Sequence, residues 1–364
     1  MDQNLKIILS GGGTMGSVVP LLAVRDIMLA QGQKVEFLWV GTEAGVEKEL
    51  ISKEMNFKSI QSGKLRRYFS WQNFLDPLRL IIGIFQSLAL IRSFRPNLIL
   101  SAGGYVSVPL IIAGKLSHIK SIVHQQDLQV GLANKIMAKF ATIVTVAFDS
   151  LLKSFDPNKV RLVGNPVRPR MLAGDKARGM TIFNLIPELT TLVVMGGSLG
   201  AEKINELLFQ AIPSLIESCQ IIHVVGKGKM VEWSDKEKFG ELAKRYHPYE
   251  YVNQEMPDLY AVADLIVCRA GLATLSELSA LKKPAIIIPI PRNQQVANAD
   301  YFAKQNAVIL LNQESVTSEE FIETVLGLLS SAGSLSNLSR RISEVMIADA
   351  GEKFVEVVKK IVQP

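Results

Sequence analysis

At residues 6–17 the chain reads Lys6-Ile7-Ile8-Leu9-Ser10 and then Gly11-Gly12-Gly13-Thr14-Met15-Gly16-Ser17. About 185 residues later, Thr191-Leu192-Val193-Val194-Met195 continues into Gly196-Gly197-Ser198-Leu199-Gly200-Ala201. Each stretch is a hydrophobic strand pattern followed by a glycine-rich turn and the start of a helix. Glycine permits positive φ and close approach of a ligand, and N–H groups at the start of the helix can bind an anion. Two such turns predict paired α/β domains that hold a phosphate-bearing ligand.

The length and composition of the chain limit its class. Its 364 residues, 48% of them apolar, are enough for two domains with well-filled cores. Cys219 and Cys268 are its only cysteines, which excludes a disulfide framework and a four-cysteine metal site. Residues 1–6 enter a strand without the apolar segment of a signal peptide, and the apolar run 78–91 is too short to span a bilayer. We expect a cytoplasmic protein that is soluble or peripheral to a membrane.

Positive charge is concentrated in the first half of the chain. Residues 1–170 contain 21 Lys and Arg against 11 Asp and Glu, whereas the remainder contains 19 against 23. Within residues 58–140 the imbalance is sharper, with 11 basic side chains against Asp76 and Asp127. A basic half beside a mildly acidic half predicts that only the first half meets an anionic surface.

Short apolar runs alternate with helical patterns along the whole chain. Strands are predicted at residues 5–10, 34–41, 57–62, 98–103, 120–125, 142–148, 160–164, 191–196, 220–225, 249–253, 265–269, 284–290 and 307–311. Many are unbroken apolar runs, as parallel strands covered on both faces should be. The alternation predicts an α/β fold with two Rossmann-like parallel-sheet domains facing across a cleft. We expect an N-terminal domain at 1–165, a C-terminal domain at 166–348, and a final helix at 349–364 with the N-terminal domain as its candidate packing partner.

The first glycine turn also fits the dinucleotide-binding pattern G-x-G-x-x-G at Gly11, Gly13 and Gly16. That pattern needs an acidic residue at the end of the second strand to hold a ribose. Here the strand ends Trp39-Val40-Gly41, and Glu36 comes too early. An NAD-dependent oxidoreductase is therefore disfavoured. For this turn alone, a tight connection without a ligand and a phosphate or sugar site remain about equally good interpretations.

Polar clusters follow several other predicted strands. They are Ser101 to Pro109, His124 to Asp127, Cys268 to Glu277, and Arg292 to Asn298. Because ligand sites in open α/β sheets lie beyond the carboxyl ends of the strands, we expect such clusters to converge on a cleft. Ser276 and Glu277 could cap a helix or hold a ribose, and three amides beside Arg292 suit a polyhydroxylated, phosphorylated ligand. The four histidines are scattered, so no metal site is predicted.

Seven motifs, in order along the chain, resemble the MurG family of peripheral membrane glycosyltransferases. They are Gly11–Pro20, Ser101–Pro109, His124–Asn134, Gly164–Arg168, Gly196–Ala201, Cys268–Leu278 and Gln294–Ala299. The resemblance implies the two-domain GT-B fold and inverting transfer of N-acetylglucosamine (GlcNAc) from UDP-GlcNAc to lipid I, which forms lipid II for peptidoglycan. It also implies that the C-terminal domain holds most of the donor and that no metal or other cofactor is required.

The resemblance assigns substrate-binding roles to individual residues. It places Ser198 and Arg168 at the donor diphosphate, Glu277 at the ribose, and Gln294 with Gln295 at the sugar hydroxyls. The other implied substrate-binding residues are Thr14, Met15, Gly16, Asp127, Asn134, Asn253, Leu272, Ala273, Thr274, Leu275 and Ser276. Among these, Asn253 stands where the family usually has an aliphatic residue against uracil.

The sequence departs from the family where the chemistry is expected. Ser17 replaces the family's histidine, a candidate general base, and Leu199 replaces a glutamine. The family's His-Glu-Gln-Asn is here His124-Gln125-Gln126-Asp127. Because a serine hydroxyl cannot take up the acceptor proton unaided, we predict that Asp127 or His124 does so, and Ser17 is retained with them as a candidate catalytic residue. The alternatives are a non-catalytic sugar-nucleotide-binding protein and a transferase with a different lipid-linked acceptor.

Residues 65–75 interleave Arg66 and Arg67 with Tyr68, Phe69 and Trp71. This mixture predicts a patch that binds the anionic inner membrane surface, with each cation contributing about 1 kcal/mol. The following apolar stretch is interpreted as a core helix with a solvated basic face. No nucleic-acid-binding motif accompanies the charge, so nucleic acid is not an expected partner. We expect a peripheral protein on the cytoplasmic face of the cell membrane.

Overall fold

The structure is a computed structural model that describes residues 5–13, 15–63, 72–197, 201–230, 233 and 236–362. The chain divides into two compact units. Unit 1 comprises Met1–Arg168 together with Ile347–Pro364, and unit 2 comprises Pro169–Met346. The divisions fall near the boundaries expected at residues 165 and 348, and the last segment of the chain belongs to unit 1.

Each unit contains one parallel sheet, which confirms the predicted α/β class. The strands are β1 (Leu5–Ser10), β2 (Val35–Gly41), β3 (Asn56–Ser59), β4 (Leu98–Ser101), β5 (Lys120–Gln125), β6 (Ile143–Val146), β7 (Val160–Leu162), β8 (Thr191–Met195), β9 (Gln220–Val224), β10 (Tyr246–Tyr249), β11 (Leu265–Cys268), β12 (Ala285–Ile287) and β13 (Ile309–Leu310).

Helices connect the strands, as parallel pairing requires. The α-helices are α1 (Val19–Ala30), α2 (Val46–Glu54), α3 (Gln72–Phe94), α4 (Ser107–Leu116), α5 (Leu132–Phe140), α6 (Lys176–Ile182), α7 (Glu202–Leu215), α8 (Met256–Val262), α9 (Leu272–Leu281), α10 (Gln294–Lys304), α11 (Ser318–Leu329), α12 (Ala332–Ser343) and α13 (Ala350–Val362). Short 3₁₀ segments occur at Met15–Ser17, Asp149–Ser154, Pro169–Leu172 and Lys236–Arg245.

The two sheets have the same winding. Unit 1 has the strand order β3-β2-β1-β4-β5-β6-β7, and unit 2 has the order β10-β9-β8-β11-β12-β13. In each sheet the first strand lies inside. The next two strands are added on one side of it, and all later strands are added on the other side. This arrangement leaves a crevice at the carboxyl ends of β1 and β4 in unit 1 and of β8 and β11 in unit 2, where open α/β sheets bind ligands.

The central strands are buried because helices cover both of their faces. In unit 1, Ile7, Ile8 and Leu9 have no exposed surface, and Trp39 of β2 packs in the same core. In unit 2, α7 and α11 pack against the sheet and bury Leu208 and Phe321 completely. The unbroken apolar runs in the sequence therefore correspond to sheet interiors, as predicted.

One strand lies earlier in the chain than predicted. The sequence pattern indicated a strand at 249–253, but β10 ends at Tyr249. Tyr249 pairs with Val224, after which the neighbouring chain adopts a φ of 105° at Gly226 and turns away. Backbone hydrogen bonds extend the contact as far as Glu250, which accepts from Gly226 at 3.1 Å, and the turn at Gly226 keeps residues 251–253 out of the strand.

The last helix, α13, packs on unit 1 beside α1. Phe354, Val355 and Val358 of α13 are buried in the core that contains the central strands. Gly351 lies so close to Ile27 of α1 that a Cβ would clash with the isoleucine side chain. Residues that are more than 300 positions apart in sequence thus share one hydrophobic core.

Candidate functional site

The glycine turns predicted from the sequence lie at the two crevices that the sheets create. In unit 1, Gly11–Gly13 follow β1, and Gly103 and Gly104 follow β4. The two turns touch, because a Cβ at Gly104 would lie only 2.7 Å from the carbonyl oxygen of Gly12. Positive φ values at Gly103 (104°) and Gly104 (89°) also favour glycine at both positions. Backbone rather than side chains therefore forms this part of the unit 1 crevice.

A buried glutamate, Glu47 of α2, supports the first turn. Its side chain accepts hydrogen bonds from the backbone N–H of Gly13 (3.3 Å) and from the N–H (3.0 Å) and hydroxyl (2.8 Å) of Thr42. A Cβ at Gly12 would lie 2.5 Å from its Oε1 atom, and a Cβ at Gly45 would also clash with it. Glycines therefore make room for this carboxylate, and the carboxylate fixes the turn.

A side chain that bonds to the backbone stabilises the first glycine turn from its C-terminal side. Met15, Gly16 and Ser17 form a short 3₁₀ segment that leads into α1, and Thr14 lies outside the described residues. Ser17 is buried, and its hydroxyl donates to the carbonyl oxygen of Gly12 at 3.2 Å. At this position, where the MurG family has a histidine, the side chain closes the turn. The catalytic role considered for Ser17 therefore remains a prediction.

His124, one of the two predicted bases, is completely buried at the end of β5. Its Nδ1 lies 3.0 Å from the Thr145 hydroxyl and its Nε2 lies 3.1 Å from Asn165 Oδ1. Burial lowers its pKa from 6.5 to about 4, although the hydrogen bonds to Asn165 and Thr145 oppose that shift. A neutral ring with both nitrogens paired inside unit 1 cannot also contact an acceptor hydroxyl in this conformation. The geometry therefore favours Asp127 over His124.

Unit 1 is expected to lose stability as the pH falls below about 6.5. An unfolded histidine is protonated near pH 6.5, whereas folded His124 is protonated only near pH 4. The unfolded state therefore binds the extra proton first, and the stabilisation that exists above pH 6.5 should fall by about 2 kcal/mol at pH 5. Urea unfolding at pH 7 and pH 5 should show this loss in wild type and less of it in His124→Gln. His118→Gln, a change at an exposed histidine, is the matched control, and an unchanged pH dependence in His124→Gln would contradict the assignment.

Asn134 organises the turn that carries Asp127. Its Nδ2 donates to the carbonyl oxygen of His124 (3.1 Å) and to Gln125 Oε1 (2.7 Å), and Gln125 in turn donates to the carbonyl oxygen of Asp127 (2.6 Å). Asn134 Oδ1 and Gln126 Oε1 are buried without a hydrogen-bond partner in the described part of the chain. Buried acceptors of this kind are normally satisfied, so both oxygens are suited to receive donors from a hydroxylated or amide-bearing ligand.

Arg168, which was expected near the donor diphosphate, is the last residue of unit 1 and is almost fully buried. Its guanidinium donates to Asp26 Oδ2 (2.7 Å) and to both Glu54 oxygens (3.1 and 3.3 Å). Arg25 shares the same two carboxylates. A diphosphate contact by Arg168 would require this four-residue cluster to open, so the expected contact remains a prediction.

In unit 2 the predicted nucleoside segment coincides with the start of α9. The helix begins at Leu272, so Ser276 and Glu277 do not cap it, and the capping interpretation is wrong. Ser276 instead donates back to the carbonyl oxygen of Leu272 (2.8 Å), as hydroxyls inside helices do. Leu272, Leu275 and Ser276 are buried. Ala273, Thr274 and Glu277 are partly exposed, and they are the side chains of this segment that a ligand can reach.

Glu277 has a fixed orientation. Tyr260, which is completely buried in α8, donates its hydroxyl to Glu277 Oε2 at 2.7 Å. Burial and the neighbouring Glu277 carboxylate raise the pKa of Tyr260 well above its usual value, so its hydroxyl stays protonated and continues to donate. An oriented, partly exposed carboxylate at the carboxyl end of β11 is suited to accept hydrogen bonds from paired hydroxyls.

The remaining predicted residues of unit 2 lie beyond neighbouring strands. Gln294 and Gln295 begin α10, with Gln294 exposed and Gln295 Oε1 accepting from the N–H of Ile290 (3.2 Å). Asn253 follows β10 and is partly exposed. Ser198 lies outside the described residues, as does the Arg66–Trp71 part of the predicted membrane patch. In the described residues, no cluster of His, Cys, Asp or Glu is arranged to hold a metal ion.

Sequence reasoning missed three residues that shape these crevices. Glu47 lies in the first turn of α2, whereas the dinucleotide-binding pattern places its acid at the end of β2. In the sequence, Tyr260 cannot be told apart from an ordinary core residue of α8. Arg269 directly follows β11, donates to the carbonyl oxygen of Ile288 at 2.8 Å, and has a buried Nε without a partner in the described structure. The carboxyl-end position of Arg269 was visible in the sequence.

Comparison with known protein families identifies both units. Residues 7–146 match the glycosyltransferase family 28 N-terminal domain, and residues 191–359 match the glycosyltransferase family 28 C-terminal domain. Each matched range covers most of one parallel sheet and its helices.

Curated relatives match most of the chain. A UDP-N-acetylglucosamine–N-acetylmuramyl-(pentapeptide) pyrophosphoryl-undecaprenol N-acetylglucosamine transferase of Clostridium perfringens is 37% identical over 363 residues, covering 98% of this chain and 99% of the relative. Transferase 2 of the same name from Bacillus cereus is 38% identical over 325 residues, covering 88% and 90%.

Solved structures share the fold. Acinetobacter baumannii MurG superposes with a TM-score of 0.72 at 22% identity and covers 98% of this chain and 99% of that protein. Neisseria meningitidis UDP-GlcNAc 2-epimerase, solved with UDP-GlcNAc, gives a TM-score of 0.67 at 12% identity over 98% and 100% of the two chains. At these identities the likeness concerns the fold alone.

Proposed function

The chain belongs to glycosyltransferase family 28, and we propose on this basis that it transfers GlcNAc from UDP-GlcNAc to lipid I, forming lipid II for peptidoglycan synthesis. The observation that carries the proposal is the 37% identity to a relative of this named activity along 98% of the chain. The similarity extends through both units, so it includes the crevices of both sheets.

The proposed donor site uses unit 2. Glu277, held by Tyr260, would accept hydrogen bonds from the ribose hydroxyls, and Gln294 with Gln295 would contact the sugar. Gly271 precedes α9 and brings no side chain to cap it, so the first N–H groups of the helix have no side-chain capping partner. Such groups, with the positive end of the helix dipole, stabilise negative charge that develops on a leaving diphosphate.

The proposed acceptor site uses unit 1. The acceptor sugar hydroxyl attacks C1 of GlcNAc, the bond from C1 to the diphosphate oxygen breaks, and the hydroxyl proton passes to the base. Asp127 is assigned as that base because this residue is partly exposed, whereas His124 is enclosed. The unpaired oxygens of Asn134 and Gln126 would receive hydrogen bonds from the acceptor.

A transfer assay tests the proposal directly. Purified protein, UDP-[¹⁴C]GlcNAc and a lipid I analogue are incubated in detergent with EDTA, and labelled lipid-linked disaccharide is extracted. Product formation in EDTA is the expected result. Donor binding by calorimetry without any product would instead favour the non-catalytic alternative, for which the replacement of the family's histidine by the buried Ser17 is the supporting observation.

We further propose that unit 1 binds the cytoplasmic surface of an anionic membrane through α3. Leu78, Ile81 and Phe85 recur on one side of this helix and are 56%, 49% and 66% exposed. The stretch 76–94 is long and apolar enough to cross a bilayer by length and composition, and most of it is not buried. The expectations that the run 78–91 is too short to span a bilayer and that this stretch is a core helix are therefore wrong. The other side of α3 packs on unit 1, where Gly83 closely approaches Gln61 and Gln86 accepts from the N–H of Gln61 (2.7 Å). A helix docked in this way is suited to lie along a membrane surface.

Replacing Ile81 and Phe85 together by serine is expected to weaken binding to anionic vesicles by at least tenfold, because both side chains would lose their burial in lipid. Co-sedimentation with phosphatidylglycerol vesicles measures this, and soluble UDP-GlcNAc affinity should stay unchanged. The matched control is Leu29→Ser, a change at an apolar side chain that is 48% exposed on α1. Equal sedimentation of the double variant and wild type would contradict the proposed surface.

A further inference from the structure

Unit 1 contains an apolar cavity of about 370 Å³ between α3, α4 and α5. The described residues that line it include Asp76, Pro77, Leu80, Tyr105, Ile112 and Ala133. The volume lies in the range of small-molecule sites. None of these residues was assigned a role from the sequence.

The chemistry of the walls selects an apolar occupant. Among the described lining residues most side chains are aliphatic, and the one acidic side chain, Asp76, is buried and paired with Arg79 at 3.5 Å. Because Asp76 is already paired, the described walls offer no unpaired charge to a polar ligand. Hydrocarbon that enters gains the free energy of leaving water, and a sugar or phosphate that enters loses hydration without compensation.

The cavity also lies between the proposed acceptor crevice and the exposed face of α3. Tyr105 lines the cavity, and its ring edge would touch a Cβ at Gly13, 3.6 Å away, so the same side chain borders the first glycine turn. Ala133 lines the cavity and precedes Asn134. On the other side, Pro77 and Leu80 belong to the helix that exposes Leu78 and Ile81. An occupant can therefore reach from the sugar-binding crevice to a membrane-facing helix.

We propose that this cavity binds the first isoprene units of the prenyl chain that carries the acceptor sugar. The inference rests on the proposed function, because a lipid-linked acceptor has a sugar at one end, a diphosphate in the middle and a hydrocarbon chain that begins beside the diphosphate. The cavity holds only a short stretch of such a chain. The remainder stays in the bilayer, against which Leu78, Ile81 and Phe85 lie.

Binding of prenyl diphosphates in solution tests the cavity without a transfer reaction. Isothermal titration with inorganic pyrophosphate, geranyl diphosphate, farnesyl diphosphate and geranylgeranyl diphosphate should show affinity that rises with chain length and then levels off once the cavity is full. Affinity that does not depend on chain length would overturn the proposal. Palmitate binding as tightly as farnesyl diphosphate, and competing with it, would instead assign the cavity to membrane acyl chains.

Filling the cavity provides the second test. Ile112→Trp places a large ring in the cavity wall and should weaken farnesyl diphosphate by about tenfold or more. Leu116→Trp makes the same change one turn further along α4, where the side chain is 62% exposed and does not line the cavity, and should bind like wild type. Circular dichroism and UDP-GlcNAc affinity verify that both variants are folded. Equal losses, or no loss, in the two variants would contradict the cavity assignment.

The same variants separate this inference from the proposed function. In the lipid I assay, Ile112→Trp should raise KM for a prenyl-linked acceptor more than for an acceptor whose diphosphate carries no prenyl chain. Normal transfer with the same change in KM for both acceptors would contradict the cavity assignment and leave the proposed function intact. Length-dependent prenyl diphosphate binding in a protein that transfers no sugar would reject the function and keep the cavity as a prenyl diphosphate site.

Discussion

Asp127→Asn is expected to lower the rate of GlcNAc transfer by about 10²–10⁴-fold, the usual contribution of a general base. The amide has nearly the shape of the carboxylate but cannot take up the acceptor proton. Gln125 donates to the backbone carbonyl of Asp127, so the turn should keep its conformation in the variant. Because the loss affects the chemical step, kcat should fall while affinity for UDP-GlcNAc, measured by calorimetry, stays close to that of wild type.

Asp149→Asn is the matched control for this variant. Asp149 is an exposed carboxylate just beyond the neighbouring strand β6, and the same substitution there should leave the rate unchanged. If Asp127→Asn transfers sugar as fast as wild type, Asp127 only positions the acceptor, and His124→Gln becomes the next variant to assay. Full activity in both would mean that the proton leaves to water or to another group.

Glu277→Ala should weaken UDP-GlcNAc binding by about 1–3 kcal/mol, or roughly 5- to 150-fold in Kd, because the ribose hydroxyls lose their acceptor. The structure predicts a second cost, a lower free energy of unfolding, because the hydroxyl of Tyr260 is left buried without its partner. Titration calorimetry with UDP-GlcNAc measures the first cost, and urea unfolding measures the second.

Tyr260→Phe separates the two roles of Glu277. It keeps the carboxylate and removes the hydroxyl that orients it, so donor affinity should fall less than in Glu277→Ala. Unchanged donor affinity in Glu277→Ala, together with reduced stability, would make Glu277 a structural partner of Tyr260 and nothing more.

The order of the sheets could be predicted because buried parallel strands appear in a sequence as unbroken apolar runs between helical patterns. The exact ends of the strands and helices could not be predicted. β10 stops at Tyr249 because a turn in its neighbour removes the pairing partner, and that turn belongs to a different segment of the chain. Similarly, α9 begins four residues before Ser276, since its start follows the strand end at Cys268 and not a capping side chain.

The residues of the candidate site also fall into two groups, those that could be predicted from the sequence and those that could not. Asp127 and Glu277 could be proposed because polar residues that follow apolar strands lie at the carboxyl edge of a sheet, and Asn134 followed from the family resemblance. Pairings over long sequence distances could not be found. Arg168 pairs with Asp26, 142 positions earlier, and this partner has no signature near either residue. Burial of His124 is a further example, because its enclosure depends on Asn165 and on Phe354 of α13.

The packing of α13 on unit 1 also determines the order in which the protein can be completed during synthesis. Unit 2 is one continuous stretch, so it can fold as soon as Met346 has left the ribosome. Unit 1 begins to emerge first, yet the apolar surface that Phe354 and Val358 cover stays open until the last helix arrives. The half made first is therefore finished last, and chains that are truncated after Met346 and released from the ribosome should resist protease in unit 2 while unit 1 is still cleaved. Throughout that interval the exposed core of unit 1 is the part of the nascent protein most in need of a chaperone.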